Sequence, residues 1–280
     1  MKKSRFNHNK PTVISTVLLC LLLAAVMAPF YIMLVGAFKP NASLITIPAD
    51  LIPVKGFTLK NIQIVFEKSE ILLWLKNSMI VSVSVAIATA FIGVTAGYAF
   101  AKINFKGKNI LFMMVMATMM MPKQMLLIPN YLVAYNLKLQ DTMIGLILTS
   151  IAPAFGVFLS RQFITSLPGT LFEAAEIDGC GKIQTLVRVL IPIVRPAIIT
   201  SSIFAFYWIW QDFFQPLIFM SSSTKYTIPL ALNMYLDPNS YNNYGGLFAM
   251  SVVSLIPIVV FFIIFQRYLV DGIAMDGIKG

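Results

Sequence analysis

Residues Leu167–Pro196 read "LPGTLFEAAEIDGCGKIQTLVRVLIPIVRP", a charged and punctuated segment between two long apolar runs. Its first part, "TLFE" from Thr170 to Glu173, has the capping-box pattern. There the threonine hydroxyl accepts from the Glu173 amide while the carboxylate reaches back to the threonine amide. This predicts a helix over Leu171–Asp178, with Gly179 as the left-handed residue just past its end. About eight residues reach only about 12 Å, too short to cross a bilayer and too short to persist alone in water. The helix therefore has to dock, in the simplest case onto its own bundle. A second helical stretch, 183–190, sets Ile183, Leu186, Val187 and Leu190 on one apolar face. Pro192 and Pro196 then delimit the entry to the next apolar run.

The chain around this segment is 58% apolar and 11% charged over 280 residues. A soluble domain is about 45–50% apolar and about 25% charged, so this is a membrane chain. A helical crossing needs about 20 mostly apolar residues, and the sequence offers six such runs: Val13–Phe38, Asn77–Ala101, 110–128, Thr142–Leu159, Ala197–Phe219 and Leu247–Phe265. Pro122, Lys123 and Gln124 interrupt the third, which is either one crossing or a shorter helix followed by a re-entrant piece. The expected fold is all-α and polytopic, with six transmembrane helices. In the absence of a repeat or low-complexity linker it is read as one domain over 1–280, in which 160–196 is the charged inner segment.

The formal charge of +10 reads as orientation in the bilayer rather than affinity for nucleic acid. With the amino terminus inside, the inner segments hold Lys2, Lys3, Arg5, Lys10, Lys102, Lys106, Lys108, Arg161, Lys182, Arg188, Arg195, Arg267 and Lys279. The outer ones hold the shorter set Lys39, Lys55, Lys60, Lys68, Lys76, Lys123, Lys138 and Lys225. Both termini are expected to be cytoplasmic. The basic start precedes an apolar run longer than a signal-peptide core, so the run reads as a retained span. Cys20 and Cys180 are expected to stay reduced, and His8 in the basic tail reads as solvated.

Catalytic chemistry is missing from the pattern. A phosphate loop needs glycines followed by Lys and Ser or Thr, whereas Gly107-Lys108 and Gly181-Lys182 are followed by Asn and Ile. There is no His or Cys cluster with metal spacing. Neither cofactor nor metal is expected, and the chain is expected not to hydrolyse ATP itself. Only Asp212, in "WIWQDFFQP", places an acid within a span, where it costs about 2.5–3.5 kcal/mol. It either lines a wet pathway with Trp208, Trp210 and Gln211, or forms a structural hydrogen bond near the interface. Trp208, Trp210 and Phe213 suit either stacking on a sugar ring or an interfacial aromatic belt. The methionine-rich run 113–122 suits a packing or lipid-facing surface, or a soft substrate surface.

"EAAEIDGCGKIQTLVRVLIP" resembles the conserved-loop signature of permease subunits of bacterial ABC importers: Glu-Ala-Ala, three residues, Gly, nine residues, Ile, any residue, Leu, Pro. Glu173, Ala174, Ala175, Gly179 and Pro192 match, with Val189 and Ile191 at the Ile and Leu positions. The "IDG" of Ile177–Gly179, together with "FTLKNIQIVF", "WLKNSM", "AGYAFAKINFKGK", "LQDTMIGLIL" and "FQRYLVDGIAMDGIKG", is similar to the carbohydrate-uptake branch, in particular to maltose-permease-type subunits. Gln211 departs from the asparagine more common there.

The resemblance implies a type I importer permease fold. It also implies a pathway shared with a second homologous permease, two cytoplasmic ATP-binding subunits and an extracytoplasmic solute-binding protein that delivers a sugar, all at a bacterial cell membrane. Glu173, Ala174, Ala175, Asp178, Gly179 and Pro192 then fall in the coupling loop that contacts the ATPase, and the tail with Gly277, Lys279 and Gly280 reaches between the ATPase subunits. Glu173 either pairs with a basic group of the partner or caps its own helix. The alternatives are an ion-gradient-driven secondary transporter, which usually shows inverted repeats and broken helices around a midplane site, and an ABC permease for another solute such as a glycerol-phosphate diester.

Overall fold

The computed structural model describes residues 13–40, 56–234 and 244–274, with side chains described to 268 apart from Met234. Among these residues the secondary structure is helical, with no strand. The basic start with His8, and the tail residues Gly277, Lys279 and Gly280, lie outside the described residues. The chain divides into two compact units.

The first unit comprises described residues of Met1–Ser69 and Leu236–Val253. Helix α1, Val13–Phe38, matches the predicted first span and buries only Gly36 and Ala37. The short α2, Lys60–Lys68, buries Asn61 and Val65. The Asn61 amide donates to the carbonyls of Ala37 at 3.0 Å and Lys39 at 2.9 Å. It thus satisfies acceptors that the end of α1 leaves unpaired.

The second unit comprises Glu70–Tyr235 and the described residues from Ser254 onward. Its centre is α3, Ile71–Lys102, which buries Asn77, Ser78, Val81, Ser82, Val85, Ala86, Thr89, Gly93 and Gly97 along one face. The helix starts earlier than the predicted Asn77, because Ile71 and Trp74 are themselves buried. Next come α4, Lys108–Met120, a 3-10 turn, Lys123–Leu126, and α5, Leu127–Asn136. The chain turns by 101° at the Met121–Pro122 break, so the third run is not one straight crossing. The fourth run is also broken, into α6, Met143–Ser150, and α7, Ala154–Ser166, bent by 45°. Pro153 stands at that break and lacks the N–H a continuous helix needs.

The remaining elements are α8, Gly169–Ile177; a short turn α9, Lys182–Gln184; a π-helical stretch, Thr185–Leu190; α10, Ile191–Ile193; and α11, Arg195–Trp210. They are followed by α12, Phe214–Phe219, a 3-10 turn, Ser223–Lys225, α13, Ile228–Met234, and the long α14, Tyr244–Ala274, whose first part belongs to the first unit. The predicted fifth span is therefore two helices separated at Gln211–Phe213. Three helices are long and apolar enough to cross a membrane, and three bent pairs raise the figure to as many as 6.

The tightest packing joins α3 and α7. A Cβ on Gly93 would lie 2.9 Å from the Gly156 backbone, and one on Gly97 would lie 2.6 Å from Ser160 Cβ. Small residues four apart on both helices let the backbones touch, which is how helices associate where the hydrophobic effect between them is absent.

Candidate functional site: the Leu167–Pro196 loop and the Gln211 break

Helix α8 forms where the sequence predicts a short helix, but it starts at Gly169 behind Pro168, without a side-chain cap. This corrects the capping-box expectation: Thr170 already lies inside the first turn and no longer occupies the cap position that its hydroxyl needs. Glu173 is exposed and makes no side-chain hydrogen bond or ion pair among the described residues. At the other end the sequence reading holds. Gly179 has φ +77°, the Cys180 amide donates to Ala175 O at 2.9 Å, and the Gly179 amide donates to Glu176 O at 3.0 Å. This is a Schellman closure. A Cβ on Gly179 would meet open space, so the glycine is required by its backbone angle and not by crowding.

Helix α8 docks by one face. Ala175 is buried, while Ala174, Asp178 and Gly179 are exposed. Phe172, Leu186 and Ile191 pack against a core of Val94, Tyr98, Ile164, Leu190 and Val194. The Lys102 ammonium also lies 4.1 Å from the Phe172 ring centroid.

The second stretch differs from the predicted amphipathic α-helix. Only Lys182–Gln184 is α-helical before the wider π turn of Thr185–Leu190, and Ile183 is 77% and Val187 54% exposed. Pro192 follows directly. Its ring has no N–H and collides with the carbonyl four residues back in an α-helix, so a regular α-turn there is disfavoured. The residues of the expected apolar stripe consequently fall on more than one face. Pro196 then stands in the first turn of α11, and the chain bends by 77° between Lys182–Ile193 and Arg195–Trp210.

The break at Gln211 separates the sequence-predicted pathway residues. Trp210 is buried and stacks on Phe206, with centroids 5.6 Å apart. Phe206 in turn stacks on Phe261 at 4.0 Å. Trp210 is therefore committed to packing. Trp208 is more than a third exposed; it meets Phe155 edge-on at 5.4 Å and carries the Lys123 ammonium 5.6 Å from its ring. Gln211 is exposed and Asp212 half-buried. One Asp212 oxygen accepts from the Gln215 amide at 3.3 Å, which serves the start of α12. Lys123, which interrupts the third run, is thereby brought to the same place as Trp208.

Sequence reasoning missed a polar clasp around Asp141. Its carboxylate accepts from the Ser221 amide at 3.0 Å, from the Ser222 amide at 3.2 Å, from the Ser222 hydroxyl at 2.6 Å and from Lys225 Nζ at 2.9 Å. Partial burial works against the charge, yet the hydrogen bonds from Ser222, Lys225 and the Ser221 amide outweigh it and hold the carboxyl far below the usual carboxylate range. Nearby, Trp74 Nε1 donates to Ser223 O at 2.8 Å. Asn77 donates to Thr224 O at 2.9 Å and to Tyr226 O at 3.0 Å, and the Ser78 hydroxyl accepts from the Ile228 amide at 2.8 Å. These side chains lie in the stretches "WLKNSM" and "LQDTM", whose polar residues beside apolar runs were the available signal. Their partners lie some 80 to 150 residues on in the chain, and no local pattern gives that pairing.

Broken apolar spans and a short docked helix between them define the class of a polytopic membrane protein. Residues 89–275 match the family model of the binding-protein-dependent transport system inner membrane component, and the chain belongs to that family. It is 32% identical over 254 residues to the arabinooligosaccharides transport system permease protein AraQ of Bacillus subtilis, covering 90% of each chain. It is 29% identical to the diacetylchitobiose uptake system permease protein NgcG of Streptomyces coelicolor, over 93% of this chain and 87% of that one. Among solved structures, a bacterial ABC transporter involved in the import of the acidic polysaccharide alginate superposes with a TM-score of 0.80, at 22% identity over 91% of this chain and 95% of the other. The fold is accordingly that of an ABC importer permease, and the protein is a multi-pass membrane transport subunit.

Proposed function

We propose that the chain acts as a single transmembrane domain and carries a sugar or oligosaccharide, delivered by an extracytoplasmic binding protein, through a pathway it shares with a second permease. ATP is hydrolysed by two partner subunits, and both termini of this chain face the cytoplasm, in line with its lysine and arginine distribution. Glu173, Ala174, Ala175, Asp178, Gly179 and Pro192 form the coupling loop. Trp208, Gln211 and Asp212 face the pathway, and the tail with Gly277, Lys279 and Gly280 meets the ATPase pair. The saccharide class rests on relatives that carry arabinooligosaccharides and diacetylchitobiose.

The observation that carries the coupling reading is the division of α8. Ala175 is buried against its own bundle, while the charged and small residues Glu173, Ala174, Asp178 and Gly179 stay exposed on a helix too short to stand alone. The exposed small residues Ala174 and Gly179 let a partner's backbone approach, and the free carboxylate of Glu173 suits a basic group. Gly179→Asp adds a side chain and a charge at the exposed turn and forces a non-glycine residue to φ +77°. Uptake of radiolabelled oligosaccharide by cells carrying it should fall to background while immunoblots still find the protein in the membrane. Normal uptake by that variant would refute the coupling role.

A further inference from the structure

The Gly107 turn between α3 and α4 borders a cavity of about 670 Å³, which the transport reading does not use. Its lining includes Phe100, Asn104, Lys108, Asn109, Arg161 and Thr165, and no acidic residue. The Arg161 guanidinium carbon lies 3.8 Å from the Phe112 ring centroid, and its buried Nε has no hydrogen-bond partner among the described residues. A buried donor left unmade carries a desolvation cost, so an acceptor from outside the chain is the expected complement. Lys108 Nζ reaches only the Ala101 carbonyl, at a long 3.4 Å. Asn109 and Ile110, in the first turn of α4, also line the cavity, and that helix starts behind Gly107 with no side-chain cap. Two cations, an uncapped helix start and apolar walls from Phe100 and Phe105 converge on one space without a counter-ion.

We infer that this cavity binds the phosphate headgroup of an anionic phospholipid, with Arg161 and Lys108 holding the phosphate and the aromatic walls meeting the glycerol and upper acyl chain. The location favours a lipid over a soluble anion. On the topology proposed above, the cavity lies at the cytoplasmic ends of α3 and α4, at the level of the headgroups, and basic pockets between spans on that side are where anionic headgroups lodge. Planar guanidinium donors match phosphate oxygens in pairs.

Native mass spectrometry of the full chain, incubated in mixed micelles with equal amounts of phosphatidylglycerol and phosphatidylcholine, reads the bound lipid directly. Phosphatidylglycerol should be retained over phosphatidylcholine. Arg161→Gln and Lys108→Gln should each weaken that retention about tenfold or more, the scale for losing a hydrogen bond to a charged group. Arg188→Gln, an exposed cation outside the cavity, should leave it unchanged. If Arg161→Gln is not recovered folded, Lys108→Gln carries the same readout. Equal retention of the two lipids, or undiminished phosphatidylglycerol retention in both cavity variants, would overturn the site. Displacement of the lipid by an equimolar amount of inorganic phosphate would overturn the lipid assignment and make the occupant a free anion.

Discussion

Asp141 adopts a left-handed conformation, φ 52°, that a non-glycine residue enters only at a cost, and its carboxylate is in turn held by two amides, a hydroxyl and an ammonium. Because its folded-state pKa lies below the unfolded value of about 3.9, the unfolded chain binds more protons in the acid range, and stability rises with pH there. The contribution is complete above about pH 5 and is lost as pH falls through the lowered folded-state value. Asp141→Asn should lower the melting temperature of the detergent-solubilised protein by a constant amount between pH 8 and 5, as read by tryptophan fluorescence. The gap to the parent chain should narrow below about pH 4. A gap that widened in acid would contradict the clasp. The two tryptophans of the break are separable in the same way. Trp210→Ala empties a packed aromatic site and should cost about 3–5 kcal/mol of stability. Trp208→Ala should leave the melting temperature within a few degrees and lower the initial rate of saccharide uptake, if the exposed ring serves the pathway.

At the scale of elements, the crossing of α3 and α7 depends on the absence of side chains. Gly97→Leu would force atoms into Ser160 Cβ and the Arg161 amide nitrogen, from which a Cβ alone already lies 2.6 Å and 3.0 Å. Overpacking of this kind costs about 1–3 kcal/mol or more. We expect a lower melting temperature, whereas Gly107→Ala, which meets open space, should cost only the backbone strain of a positive φ. A Gly97→Leu chain as stable as the parent would mean that the helices separate without penalty.

How far the sequence foretold these elements follows the range of the forces involved. The limits of α1, the short α8 and the glycine closure at Gly179 were legible, because apolar length and a left-handed turn are local properties. The Thr170 cap was not legible, because the helix begins two residues earlier than the pattern predicts, directly behind Pro168. The Ile183–Leu190 stripe was misread because an α period was assumed where Pro192 favours a wider turn.

At the scale of the molecule, composition alone placed the chain in a bilayer, and the apolar runs gave the spans but not their breaks. The bends at 121–122, 151–153 and 194, and the break at 211–213, are set by tertiary packing as well as by local sequence. Gln215 shows why: its amide donates to the Thr149 hydroxyl at 2.9 Å, which ties the stretch after one break to the helix before another. The candidate site was partly legible for a related reason. Its loop is contiguous in sequence, whereas the pathway residues and the Asp141 clasp are assembled from distant segments. Trp208 and Trp210 are two residues apart on one helix and so cannot share a face. The aromatic cluster around Trp208 also draws in Lys123, which the reading of the third run treated only as an interruption.

The 77° bend between Lys182–Ile193 and Arg195–Trp210 has a mechanical reading. The two segments meet at a near right angle, with Val194 fully buried at the elbow, which is the layout of a bell crank. On the coupling role proposed above, a displacement delivered along the first arm would leave along the second as rotation about the joint, so that a small sideways push at the loop would become a swing at the far end of α11, where Trp208 stands.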